Sequence, residues 1–149
     1  MNPCSSALLT DLYQLTMLRA YVEQEMMETA VFELFVRRLP PHRNFLMAAG
    51  LEQVLNFLEQ LHVSQAELAW LESTGRFHST LLRYLENLRF TGNVQAMPEG
   101  TIFFPHEPMI RIVAPLPQAQ LLETRLMNLL NFQTMIASKA ARSVLVADG

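Results

Sequence analysis

The stretch from residue 118 to about residue 142 reads as one uninterrupted amphipathic helix, and it constrains the fold more than any other feature. About 25 residues rising 1.5 Å each make a rod of ~37 Å. Leu122, Leu126, Leu129, Gln133, Ile136 and Ala140 fall on one slowly drifting stripe, which predicts the buried face. Such a rod is longer than a small sheet needs as cover, so it is expected to pack partly on something that follows in sequence. Residues 143–147 are apolar again and Asp148-Gly149 closes the chain, whereas domains usually end in polar, exposed segments. The expectation is one piece of a larger protein.

The rest of the chain supplies a small sheet for that helix to cover. Thr10 or Asp11 can start a helix running to about Glu25, with Leu8, Leu12, Leu15, Leu18 and Val22 on its core stripe. Tyr13, Met17 and Ala20 form a second apolar stripe nearly opposite. A helix that is apolar on two sides is buried on two sides, so the second stripe reads as an interface. Residues 29–38 are rich in β-branched and aromatic side chains, with Ala30, Phe32, Leu34 and Val36 on one face, as in a strand. Pro40-Pro41 forces a loop. Gly50 opens a helix with Leu51, Val54, Leu55, Leu58 and Leu61 inward. Ser64 and Glu67 have the spacing of a capping box. Ser79 or Thr80 begins a further helix through Leu81, Leu82, Leu85 and Leu88. Residues 93–97, 101–104 and 109–113 are short strands between proline-bearing turns, and Pro115-Leu116-Pro117 ends the sheet region. The fold class is thus α/β of the α+β kind: helices on a small, mainly antiparallel sheet. The domain division places residues 1–117 in that unit and 118–149 in the long helix and what it leads to.

Composition narrows the function classes. Half the residues are apolar and 17% are charged. The charged share lies below the usual ~25%, which fits apolar surface facing another domain or subunit. Net charge is −3 with no basic stripe, so a nucleic-acid partner is not expected. Cys4 is the sole cysteine, so no internal disulfide can form, and this points weakly to a reducing compartment. The first residues lack the basic start and apolar core of a secretory signal, and no stretch is apolar enough to span a membrane. His42, His62, His78 and His106 have no metal-ligand spacing. No glycine-rich phosphate loop is present.

Several blocks, in order, resemble the nicotinate phosphoribosyltransferase family. They include Leu9-Thr10-Asp11-Leu12-Tyr13-Gln14-Leu15-Thr16-Met17, Phe32-Glu33-Leu34-Phe35-Val36-Arg37-Arg38 and Ala49-Gly50-Leu51-Glu52. Tyr84-Leu85-Glu86-Asn87-Leu88-Arg89-Phe90-Thr91-Gly92, Pro98-Glu99-Gly100-Thr101-Ile102-Phe103-Phe104-Pro105, Leu122-Glu123-Thr124 and Lys139-Ala140-Ala141-Arg142 complete the series. The resemblance implies the N-terminal domain of a type II phosphoribosyltransferase, a cytoplasmic homodimer. Such enzymes join nicotinate to phosphoribosyl pyrophosphate, coupled to ATP hydrolysis with Mg2+, giving nicotinate mononucleotide and pyrophosphate for NAD salvage. The family's (β/α) barrel needs about 250 residues, so this chain is expected to lack it. With it would go the phosphorylated histidine, the arginine loop that meets the substrate carboxylate, and the phosphate-holding loops. The resemblance therefore places no catalytic residue here, and the chain alone is expected to be inactive and to bind no cofactor. The alternative is a stand-alone binding or dimerisation module.

The resemblance also implies that Tyr13 reaches the pyridine ring, across the dimer. Its flat π face suits stacking on an electron-poor ring, and the alternative is an ordinary interface tyrosine. Asp11 reads as an N-cap, with a second role in positioning Tyr13 or ligand as the other possibility. Arg37, Arg38, His42 and Arg43 make a basic cluster able to bind phosphate, set against a solvated strand end. Glu123, Asn128, Asn131 and Gln133 are polar groups on the long helix that need partners if buried. Lys139 and Arg142 read as cations favoured by the helix C-terminus.

Overall fold

The computed structural model describes residues 6–39 and 41–147. Five helices and five strands run along them. They are α1 (Leu12–Glu23), β1 (Thr29–Phe35), β2 (Leu46–Met47), α2 (Leu51–Glu59), α3 (Gln65–Ser73), α4 (Ser79–Glu86), β3 (Asn93–Ala96), β4 (Ile102–Phe103), β5 (Pro108–Pro115) and α5 (Leu116–Ala147). Cys4, Pro40, Asp148 and Gly149 lie outside the described residues.

β5 is the middle of an antiparallel sheet ordered β1-β5-β3. Its register pairs Phe32 with Ile112 on one side and Val94 with Ile112 on the other. Side chains alternate across a strand, so Ile110, Ile112 and Ala114 share one buried face. The half-buried Ala30, Phe32 and Leu34 of β1 continue it, as the alternation in sequence predicts. On the outer face Glu33 and Arg111 sit directly opposite, with Arg111 Nε donating to Glu33 Oε1 at 2.7 Å. β2 and β4 form a separate two-residue ribbon, and β2 is too short to have shown in the sequence.

The long helix exists but is longer than expected and turned about its axis. It spans 32 residues, about 48 Å. Pro115-Leu116-Pro117 does not separate sheet from helix: Leu116 N–H donates to Glu28 O at 2.9 Å and the helix begins there. Pro117 falls in the first turn, where its absent N–H leaves no bond unmade. The buried row is Leu122, Leu126, Leu130, Thr134 and Ser138, whereas Ile136 is 53% exposed. Steps of four residues drift about 40° each, a ridge inclined to the helix axis. That ridge carries the contact line from α1 across to β2.

Two hydroxyls on this ridge explain why it turns polar. Ser138 Oγ accepts from Met47 N–H at 2.8 Å, and Thr134 Oγ1 accepts from Ala49 N–H at 3.3 Å. They satisfy backbone donors that a two-residue ribbon leaves unpaired. In α1 a similar displacement occurs. Leu15, Leu18 and Val22 are buried as expected, but Leu12 is 55% exposed and Gln14 is fully buried in its place. Leu12 is the first helical residue, and its side chain is left on the open side of the helix. In α2 the inward set is Val54, Phe57 and Leu58, with Leu55 outward. The capping box of α3 forms as read, with Ser64 Oγ accepting from Glu67 N–H.

Candidate functional site

Where the first turn of α1 crosses the early turns of α5, six polar side chains converge. Tyr13 Oη donates to Glu123 Oε2 at 3.4 Å. Gln14 Nε2 donates to the same oxygen at 3.3 Å and to Tyr13 Oη at 3.4 Å. Gln120 Nε2 reaches that oxygen from one helical turn back at 2.9 Å. Beside them Thr124 Oγ1 donates to Asp11 Oδ2 at 3.0 Å. Gln14 and Gln120 are buried, while Tyr13 is 48% exposed. The phenol oxygen is thus anchored while nearly half the residue stays open to solvent.

Asp11 stands at the N-cap position with extended backbone angles, yet its side chain caps no amide of α1. It ties the start of α1 to α5 instead. Gln14 is further held by Thr10, whose Oγ1 meets Gln14 Oε1. The two amides escaped the sequence reading. The available signal was an amide adjacent to the core residue Leu15, since a polar group on a core face must find partners.

Glu123 also lines a cleft of about 710 Å3 between the sheet face and α5. Asn128 and Asn131 line the same cleft from α5, and Arg37 and Arg38 line it from the end of β1. The basic cluster therefore splits. Arg37 and Arg38 are exposed at the cleft, Arg43 turns its Nη1 to Met135 Sδ at 3.2 Å, and His42 is exposed in a left-handed conformation (φ 63°). Gln133 leaves the group too, bonding Gln53 at 3.2 Å. Because α5 runs on to Ala147, Lys139 and Arg142 are not in its last turn. Arg142 instead stacks over the Phe45 ring at 5.8 Å. A second depression, about 370 Å3, lies along α4 beside Arg83, Arg89 and Tyr84. Burial pushes the Tyr84 phenol up to about 12.

The blocks read from the sequence meet in pairs across this structure. The Tyr13 block meets the Glu123 block, 110 residues away. The Glu99 block caps the Gly50 block, with Glu99 Oε1 accepting from Gly50 N–H at 3.0 Å and Glu52 N–H at 3.3 Å. Residues 8–131 match the model of the nicotinate phosphoribosyltransferase (NAPRTase) N-terminal domain. The chain belongs to the nicotinate phosphoribosyltransferase family. It is 49% identical over 143 residues to nicotinate phosphoribosyltransferase pncB2 of Mycobacterium tuberculosis, covering 96% of this chain and 31% of that protein. The nicotinate phosphoribosyltransferase of Bacillus subtilis is 43% identical over 139 residues, covering 93% of this chain and 28% of its own. Among solved structures, human nicotinic acid phosphoribosyltransferase superposes with a TM-score of 0.87 at 36% identity, over 95% of this chain and 29% of that one. The nicotinate-nucleotide pyrophosphorylase of Pyrococcus furiosus, at 22% identity and a TM-score of 0.63, covers 87% of this chain and 26% of its own and shows the fold alone.

The chain thus spans less than a third of the family members it matches. The expected fold class holds: a mixed α/β unit with a small antiparallel sheet and a long C-terminal helix, as in this family's N-terminal domain. Among the described residues no helix is long and apolar enough to cross a membrane.

Proposed function

We propose that this chain acts as the N-terminal domain of a cytoplasmic, homodimeric nicotinate phosphoribosyltransferase that joins nicotinate to phosphoribosyl pyrophosphate for NAD salvage. In this reading residues 1–117 form the domain and the end of α5 leads toward a catalytic barrel. Tyr13 offers its ring to the nicotinate pyridine across the dimer, and Asp11 fixes the turn that carries it. Arg37 and Arg38, at the rim of the cleft, are the lesser candidates for phosphate contacts. The observation that carries the reading is the anchored, half-exposed Tyr13, set where two blocks of family resemblance meet. Stacking on an electron-poor ring is worth about 0.5–1.5 kcal/mol beyond burial.

ATP and Mg2+ belong to the full reaction. Among the described residues no three His, Cys, Asp or Glu side chains gather into a cation site.

The test is Tyr13→Ala in the full-length enzyme. KM for nicotinate should rise roughly two- to twelvefold, the range that stacking energy converts to. KM for phosphoribosyl pyrophosphate should rise less. Equal effects on both would remove the role of Tyr13.

A further inference from the structure

We infer that Glu123 is the positioning residue of this site: its carboxylate, clamped by two buried amides, sets the direction of the Tyr13 ring. The inference deepens the nicotinate reading and rests on it for the ligand, though not for the contact itself. A tyrosine in the first turn of a helix, 48% exposed, has two free side-chain torsions unless something holds its far end. Among the described residues Tyr13 Oη bonds two groups, Glu123 Oε2 and Gln14 Nε2. Glu123 alone would be a poor anchor, because a long flexible side chain loses rotamer freedom in holding one geometry. Here it is itself held. Gln120 Nε2 at 2.9 Å and Gln14 Nε2 at 3.3 Å converge on the oxygen that Tyr13 meets. Both amides belong to buried residues, so their donors have nowhere cheaper to go.

Chemistry explains why a carboxylate stands there. Three donors aim at one oxygen, and an ionised carboxylate is acceptor-only. Hydrogen bonds to a charged acceptor are also stronger than neutral ones. A glutamine at position 123 could turn an oxygen toward the cluster, but without the charge.

The experiment uses the full chain labelled with 3-fluorotyrosine. Tyr13, Tyr21 and Tyr84 give three fluorine signals, assigned by single Tyr→Phe variants. Glu123→Ala should move the Tyr13 signal toward that of free, rapidly reorienting tyrosine, and Glu123→Gln should move it part of the way. The Tyr21 and Tyr84 signals should stay in place and report that the fold is intact. In the full-length enzyme Glu123→Ala should raise nicotinate KM several-fold, with the effect on KM larger than that on kcat. Tyr13→Phe on the same background should add little more, since it deletes the same anchor. An unmoved Tyr13 signal in either Glu123 variant overturns the proposal, and Glu123→Gln serves if Glu123→Ala does not fold. If the Tyr13 signal moves but the unaltered enzyme does not use nicotinate, the positioning stands and the substrate reading falls. If nicotinate is used and Glu123→Ala leaves its KM unchanged, the positioning role falls and the substrate reading stands.

Discussion

Gln14 shows how a single residue can carry more than its side chain suggests. An amide without partners in a core would be costly, by about 1–3 kcal/mol, yet Gln14 is fully buried because Thr10, Tyr13 and Glu123 all meet it. Glu67 is a second such case. Burial pushes its carboxyl up, but bonds from the Ser6 and Ser64 hydroxyls and the Ser64 amide outweigh that and hold it below the usual carboxylate range. A depressed folded value means the contribution is present above the unfolded value, about 4.3, and is lost as pH falls through the folded one. Glu67→Gln should therefore flatten the acid side of the stability profile while leaving its neutral slope alone. Denaturant melts across that range check it, and an unchanged acid limb would show the network to be inert. Tyr84 has the opposite sign. Its phenol is raised to about 12 by burial, so that contribution holds below about 10 and fades as pH rises through the folded value. Alkaline absorbance titration should show one of the three tyrosines ionising late, and Tyr84→Phe should remove that phase.

At the scale of elements, helix ends are secured from a distance. Gly50 sits at the N-cap of α2 with φ 103°, a conformation that suits glycine and leaves no side chain to cap the helix. Any Cβ there would also press on Leu129 O of α5 at 3.0 Å. Glu99 supplies the cap instead, taking the Gly50 and Glu52 amides with its Oε1. Glu99→Ala should cost ~1 kcal/mol, the ordinary worth of a cap, read as a lower denaturation midpoint with unchanged slope. Gly92 serves the join between α4 and β3 in another way. A Cβ there would lie 2.5 Å from Ala114 Cβ and 2.6 Å from Val113 O on the central strand. Gly92→Ala should destabilise by about 1–3 kcal/mol through overpacking, and a neutral result would mean that β5 yields more easily than its two-sided pairing implies.

For the whole molecule, α5 is the spine. Its buried row contributes Leu122, Leu126 and Leu130 to the same core as Leu18 of α1, Val54 of α2 and Ile112 of β5. A helix so placed should not melt separately. Helix signal by circular dichroism and fluorescence of Trp70, the one tryptophan, should report a single coincident transition. Leu122→Ala should move both together, by about 2–5 kcal/mol. Two separated transitions would mean that α5 is held more loosely than its burial indicates. Met127, Phe132 and Ile136 are exposed on α5, each about half or more.

What the sequence determined by itself is what short-range chemistry controls. The 2.0 and 3.6 periodicities marked β1, α2 and α5, and the Ser64–Glu67 spacing marked the capping box, because each depends on neighbours a few residues apart. The ordered blocks were enough to point to the family. The tertiary structure decided which face of each helix is buried and which residues meet. The stripe on α5 shifted from Ile136 to Thr134 and Ser138 because a two-residue ribbon needed donors satisfied, a demand invisible until β2 is in place. Tyr13 could be singled out from its block, but Gln14, Gln120 and Glu123 could not be assembled around it. Glu123, itself held by Gln120, bonds Tyr13 and Gln14 from a helix more than 100 residues away, and no local pattern encodes a contact at that separation.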